Sequence, residues 1–252
     1  MAEGSKEPKI RVVVRKRPMN SKERSRGEVD VLETRSPQSV VVKEIKLKVD
    51  LTRYIEEHHF TFDNAFDEGV SNQEMYQDTV VPLISAVFQG AKVTCFAYGQ
   101  TGSGKTFTMM GEDSIPGLYL LAANDLFITK NQSFRRHTVW VSFYEIYCGK
   151  LFDLLNGRQS LFAREDAKQT VNIVGLQRRQ VQDVQSLMQI IGFGMSVRTT
   201  GVTGANDDSS RSHGVLEIEI KDGTKTLGKM SFIDLAGSER GADVTDSDKQ
   251  TR

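Results

Sequence analysis

The sequence carries no net charge: 33 lysines and arginines balance 33 aspartates and glutamates. That balance excludes a surface-wide polycation of the kind that binds nucleic acid nonspecifically, while leaving room for local charged patches that meet an acidic partner. Cysteine is scarce. Cys95 and Cys148 lie far apart, each in an apolar segment, which excludes a disulfide scaffold and reads as two reduced core thiols. No apolar run approaches the length that crosses a bilayer. The polar stretch Met1–Lys9 lacks the apolar core of a secretory signal and reads as a short flexible lead-in over residues 1–8. There is no internal repeat and no long linker. His58-His59 has no Cys, Asp or His set at ligand spacing in the sequence, so it reads as a surface or strand pair. What remains is 252 residues with 38% hydrophobic content. That is enough apolar material for one large α/β domain or two small ones.

The apolar spacing gives the elements. Ile10–Val14 is a β-branched run and reads as a buried strand. Ser39–Val42 and Glu44–Asp50 read as the two strands of a small hairpin. Ser71 with Glu74 forms a capping-box pattern that opens a helix, with Pro82 predicting a kink and Gly90 its end. Val93–Tyr98 reads as a short buried strand, followed by a glycine-rich turn and a helical start at Lys105. Gly111–Gly117 breaks the chain before a helix over Leu118–Phe127. His137–Tyr147 is a long strand in which Trp140 is a packing residue, and Asp183–Arg198 an amphipathic helix. Val215–Ile220 and Lys229–Asp234 are strands joined through the turn signal Asp222-Gly223. Strands alternating with helices predict a three-layer α/β domain.

Three segments carry chemistry. Gly99, Gln100, Thr101, Gly102, Ser103, Gly104, Lys105 and Thr106 spell G-x-x-x-x-G-K-[ST] between a predicted strand and a predicted helix. Glycines at 102 and 104 permit positive φ, so that successive N–H groups converge on one anion. Lys105 then reaches the β- and γ-phosphates, and the Thr106 hydroxyl suits magnesium. Asp234-Leu235-Ala236-Gly237 ends an apolar strand. An aspartate there holds magnesium through water, and Gly237 offers its N–H to a γ-phosphate. Asn206-Asp207-Asp208-Ser209-Ser210-Arg211-Ser212-His213 supplies short hydroxyl ligands and, in Arg211, a planar cation suited to a carboxylate such as Glu239. No N-K-x-D stretch is present to read guanine, which argues against a GTPase.

Together GQTGSGKT, NDDSSRSH and DLAGSE, in this order and spacing, resemble the kinesin motor domain over about Lys9–Arg252. The resemblance implies a three-layer P-loop NTPase fold, α/β, with a central mostly parallel or mixed sheet flanked by helices. It implies an ATPase with ATP and Mg2+ as cofactors and microtubules as partner, located in the cytoplasm on the cytoskeleton, with no nucleic acid or membrane ligand. By position, Arg15, Arg17 and Pro18 match the family's adenine-side motif, and Tyr76 falls where the family places an aromatic beside the base. Thr106 and Ser210 would touch magnesium, with Asp234 behind a water, while Gly237 would sense the γ-phosphate. Arg211 and Glu239 would form the ion pair that closes the site, with Asn206 and Ser210 beside them, and Glu239 and Ser210 would position water and pass on its proton.

Lys48-Val49-Asp50 occupies the position of the tubulin-wedging finger of the internal-motor, kinesin-13 subfamily, whose members bend tubulin rather than walk. Glu145–Tyr147, Gly149–Asn156, Val174–Gln177 and Glu239–Asp243 resemble that subfamily too. Arg164 and Lys168 fall in another loop that faces tubulin in the family. A family motor domain continues beyond Arg252. The resemblance thus leads us to expect residues 9–252 to lack the C-terminal elements, a further central strand among them, with any dimerisation through segments outside the chain. A walking kinesin and a non-catalytic fragment that binds nucleotide or tubulin remain the alternatives at this level.

Overall fold

A computed structural model describes residues 9–112, 114–200 and 211–239, and the chain divides into two compact units between Ser71 and Asn72. The first unit holds β1 (Val13–Arg15), the short helix α1 (Ser21–Ser25), β2 (Leu32–Ser36), β3 (Ser39–Leu47), β4 (Arg53–Thr61) and β5 (Asn64–Phe66). The opening strand is shorter and wetter than its β-branched run suggests. Only Val13–Arg15 find a partner, parallel β5, and Ile10 and Val12 are exposed. The expected hairpin within residues 39–50 is instead one continuous strand, β3. No turn residue separates Val42 from Glu44, so the alternation runs straight through Lys43, and the reversal comes at Lys48–Thr52. β3 then pairs antiparallel with β4, from Ser39 opposite Thr61 to Leu47 opposite Arg53, and with β2 on its other side. His58 and His59 lie in β4 as a surface strand pair. The register sets Glu44 opposite Glu56. The Lys46 ammonium bridges both carboxylates, 3.3 Å from Glu44, while His58 Nε2 sits 2.9 Å from Glu44. Opposed like charges would otherwise weaken this pairing.

The second unit contains α2 (Asn72–Thr79), α3 (Val81–Phe88), β6 (Lys92–Ala97), α4 (Lys105–Met110), two-residue strands β7 (Gly111–Glu112) and β8 (Ile115–Pro116), and α5 (Leu118–Ser133). It continues through β9 (Thr138–Tyr147), β10 (Lys150–Asp153), β11 (Gln159–Glu165), β12 (Val171–Val174), β13 (Arg179–Val181), α6 (Val184–Thr200), β14 (Ser212–Asp222) and β15 (Lys225–Asp234). The helix opened at Ser71 is broken just ahead of Pro82, which sits in the first turn of α3 where its missing N–H costs nothing. The sheet runs β12-β11-β10-β9-β14-β15-β6, with β13 also on β9. It is mixed, as one of the two expected arrangements, and antiparallel pairs predominate: among the described residues of this sheet only β15–β6 is parallel. Short turns such as Cys148-Gly149 and Asp222-Gly223 force antiparallel neighbours. Cys148 is therefore an exposed turn residue at φ +49°, not a core thiol, whereas Cys95 is partly buried; neither is in a disulfide. Trp140 is a strand residue, as expected, with the Lys221 ammonium 4.7 Å over its ring.

Val139, Val141, Phe143, Leu216, Ile218 and Phe232 form the main core on one sheet face. Tyr119 of α5 meets Phe232 edge to face at 5.4 Å. Gly194 lets α6 lie close to the Phe143 ring, which a Cβ there would strike. The opposite face carries the smaller cluster of Tyr144, Leu161, Leu176 and Val215. Among the described residues no helix is long and apolar enough to cross a membrane.

Candidate nucleotide site

β6 and β15 lie side by side and parallel, with Ala97 opposite Asp234. Their following loops, residues 99–104 and 235–239, therefore leave the sheet at the same end, at the carboxyl ends of the strands where ligands of α/β sheets collect. The loops are stitched together: Leu235 N–H donates to Ala97 O at 3.3 Å and Ser238 N–H to Gly99 O at 3.1 Å. Gly102 and Gly104 adopt φ +76° and +92°, the left-handed conformation that the spelling predicts. Gly104 leads directly into α4.

Lys105 Nζ donates to Gly99 O and Gln100 O, each at 2.9 Å. Burial pushes its pKa down, against the pull of Asp234 and Glu239. The Thr106 hydroxyl donates to Asp234 Oδ2 at 3.2 Å. That same oxygen accepts from Arg198 Nη1 at 2.9 Å, an ion pair whose side chains are 1% and 5% exposed. Arg198 also donates to Ser212, from Nε to Oγ at 3.0 Å and from Nη2 to the carbonyl at 2.6 Å. The other Asp234 oxygen, Oδ1, and the Ser103 Oγ are buried without a hydrogen-bond partner among the described residues. Orphaned buried oxygens cost stability unless something is bound to them. A hard cation and a phosphate suit this donor set, so the residues present fit Mg-ATP.

Glu239 was expected to pair with Arg211; its two oxygens instead take the Thr101 N–H at 3.0 Å and the Thr101 hydroxyl. Those bonds, the hydroxyl's first, hold its carboxyl below the usual range. A Cβ at Gly237 would run into both Glu239 oxygens and the Thr101 hydroxyl, so a larger residue here would displace those side chains. His213 Nδ1 accepts the Ala236 N–H at 2.9 Å, and burial lowers its pKa, so the neutral ring holds the loop. Arg211 directly precedes β14. Asn206 and Ser210 lie outside the described residues. Sequence reasoning placed Ser212 and His213 in the third segment without these contacts and missed Arg198 as a site-builder: Arg198 read as the end of a helix, and nothing local signals its burial.

The other expected residues stand as follows. Tyr76 is 1% exposed, and its hydroxyl donates to Asp125 Oδ2 at 2.7 Å. It is a core residue rather than an open stacking face for a base. In the first unit Arg15 donates to Val70 O at 3.0 Å, and Arg17 forks onto both Glu23 oxygens and also meets Pro18 O. Lys48, Val49 and Asp50 form the tip of the β3–β4 hairpin, and Val49 is fully exposed at 105%. Arg164 lies in exposed β11, and Lys168 in the turn to β12. That turn is tied by the Asp166 carboxylate, which accepts the Lys168 and Thr170 N–H groups at 2.8 and 3.0 Å.

The family model described as the kinesin motor domain matches residues 15–252. The chain belongs to the kinesin motor family. Among similar curated proteins, it is 56% identical over 97% of its length to the kinesin-like protein KIF24 of Mus musculus and 54% identical to that of Homo sapiens. It is 51% identical to the kinesin-like protein KIN-13B of Arabidopsis thaliana. It spans 18% of each KIF24 relative and 36% of the plant one. A solved structure of a fast kinesin superposes with a TM-score of 0.83 at 30% identity, covering 94% of this chain and 68% of that one. The kinesin motor fold, a P-loop NTPase-like mixed sheet flanked by helices, is thus present in this motor-domain chain.

Proposed function

We propose that the protein uses ATP binding and hydrolysis to bend tubulin at microtubule ends. The observation that carries the nucleotide half is the stitched pair of loops after β6 and β15. It sets Lys105, Thr106, Asp234, Gly237 and Glu239 around one cradle with two orphaned oxygens. In this reading Gly99–Thr106 would hold the triphosphate, and Thr106, Ser210 and Asp234 would hold Mg2+. Bound Mg2+ supplies charge neutralisation. Gly237 N–H reports the γ-phosphate, and Arg211 exchanges for Thr101 as the partner of Glu239 when the site closes. Glu239 and Ser210, with Asn206 alongside, then orient water and relay its proton. Catalysis of this kind is positioning and electrostatics.

The finger Lys48-Val49-Asp50 and the kinesin-13 names among the relatives favour depolymerisation over walking. A tip that fits a curved tubulin junction better than a straight one biases tubulin towards bending by its differential affinity. Arg164 and Lys168 add a second basic contact. Replacing Lys48, Val49 and Asp50 together by alanine is expected to abolish ATP-dependent shortening of microtubule ends while ATP affinity stays within about twofold. Unchanged shortening in that variant would remove the finger from the mechanism.

A further inference from the structure

The tip of the β3–β4 hairpin is built by its own hydrogen bonds. Leu51 N–H donates to Lys48 O at 2.9 Å and Lys48 N–H to Thr52 O at 2.9 Å, closing the turn, and Leu51 sits at φ +63°. A non-glycine residue there is costly and needs its surroundings to hold it. What holds it is Asp50. Its Oδ1 accepts both the Thr52 N–H at 3.0 Å and the Thr52 hydroxyl at 2.6 Å. A short carboxylate reaching two residues ahead is the Asx arrangement that fixes a turn. Val49 and Leu51 meanwhile stand out at 105% and 77% exposure.

We infer that Asp50 is a positioning residue: it holds the turn that projects Val49 and Leu51, and its charge makes no contact with tubulin. This rests on the finger reading of the preceding section and assigns the contact to the apolar side chains and Lys48. Two substitutions separate geometry from charge. Asp50→Asn keeps an oxygen at the same reach and removes the charge. Asp50→Glu keeps the charge and moves it a methylene too far to close the same turn.

The test measures affinity for free tubulin dimers, with ATP affinity as the control for folding, and hydrogen exchange at the Thr52 amide. Asp50→Asn is expected to bind tubulin within about twofold of the parent and to keep the Thr52 amide protected. Asp50→Glu and Val49→Ala are expected to weaken tubulin binding about tenfold, with the Thr52 amide exchanging faster only in Asp50→Glu. Retention by Asp50→Glu with loss by Asp50→Asn would overturn the inference, because the charge would then be the contact; loss by both with the Thr52 amide still protected in Asp50→Asn would overturn it too, because the carboxylate would then act beyond the turn. Full binding by both would overturn it too, since the turn would then be dispensable. If Val49→Ala binds like the parent, the finger reading itself is what fails, and Thr52 exchange still decides whether Asp50 holds the turn.

Discussion

Arg198 shows how a single buried side chain organises the site. Its guanidinium, at 1% exposure, joins the end of α6 to Asp234 and to both polar groups of Ser212. Removing it leaves the Asp234 carboxylate buried without its counter-charge, the situation in which a buried pair matters most. Arg198→Ala is expected to lower the unfolding free energy by about 3–5 kcal/mol in urea titration; a loss under about 1 kcal/mol would show that the pair is solvated. Lys105 and Thr106 were legible in the sequence because their chemistry is spelled by neighbouring residues in one loop. Arg198 was not, because its partner lies 36 positions away and only the folded sheet brings them together. Tyr76 and Cys148 erred in opposite directions for one reason. A position in an apolar or motif context does not say which way the side chain faces.

At the scale of elements, the loops after β6 and β15 act as one device. Glu239 closes over the phosphate loop onto Thr101, taking an N–H that an incoming phosphate also wants. Thr101→Val removes the hydroxyl bond and keeps the N–H. It is expected to raise the association rate of a fluorescent ATP analogue roughly threefold to tenfold in stopped flow, since a bond to a charged acceptor is worth about 1.5–3 kcal/mol and part of it is screened here. An unchanged or slower rate would show that Glu239 does not compete with nucleotide. The two loops were readable as motifs because a strand, a glycine turn and a helix start each leave a local mark. The short strands β10 to β13 were not, since three to seven residues carry too little periodicity. The β3–β4 hairpin was misplaced because its turn is made by Asp50 and Thr52, not by a glycine signal.

At the scale of the molecule, composition and the order of elements carried the α/β class, and the resemblance of the three motifs carried the motor fold, which the fast-kinesin comparison bears out over 94% of the chain. The direction of the strands was less legible. The resemblance implied a mostly parallel or mixed sheet; it is mixed, and the hairpins of the second unit make it largely antiparallel, with one parallel pair among its described strands where the site is built. That one pair is what brings the phosphate loop beside the loop of Asp234 and Glu239. The most direct test is therefore equilibrium titration of the folded protein with ATP in the presence and absence of Mg2+, alongside Lys105→Ala. The account predicts Mg2+-dependent binding that Lys105→Ala weakens at least about tenfold, the loss expected for one charge-assisted phosphate contact. Absence of ATP affinity in the folded parent, or equal affinity in Lys105→Ala, would contradict it.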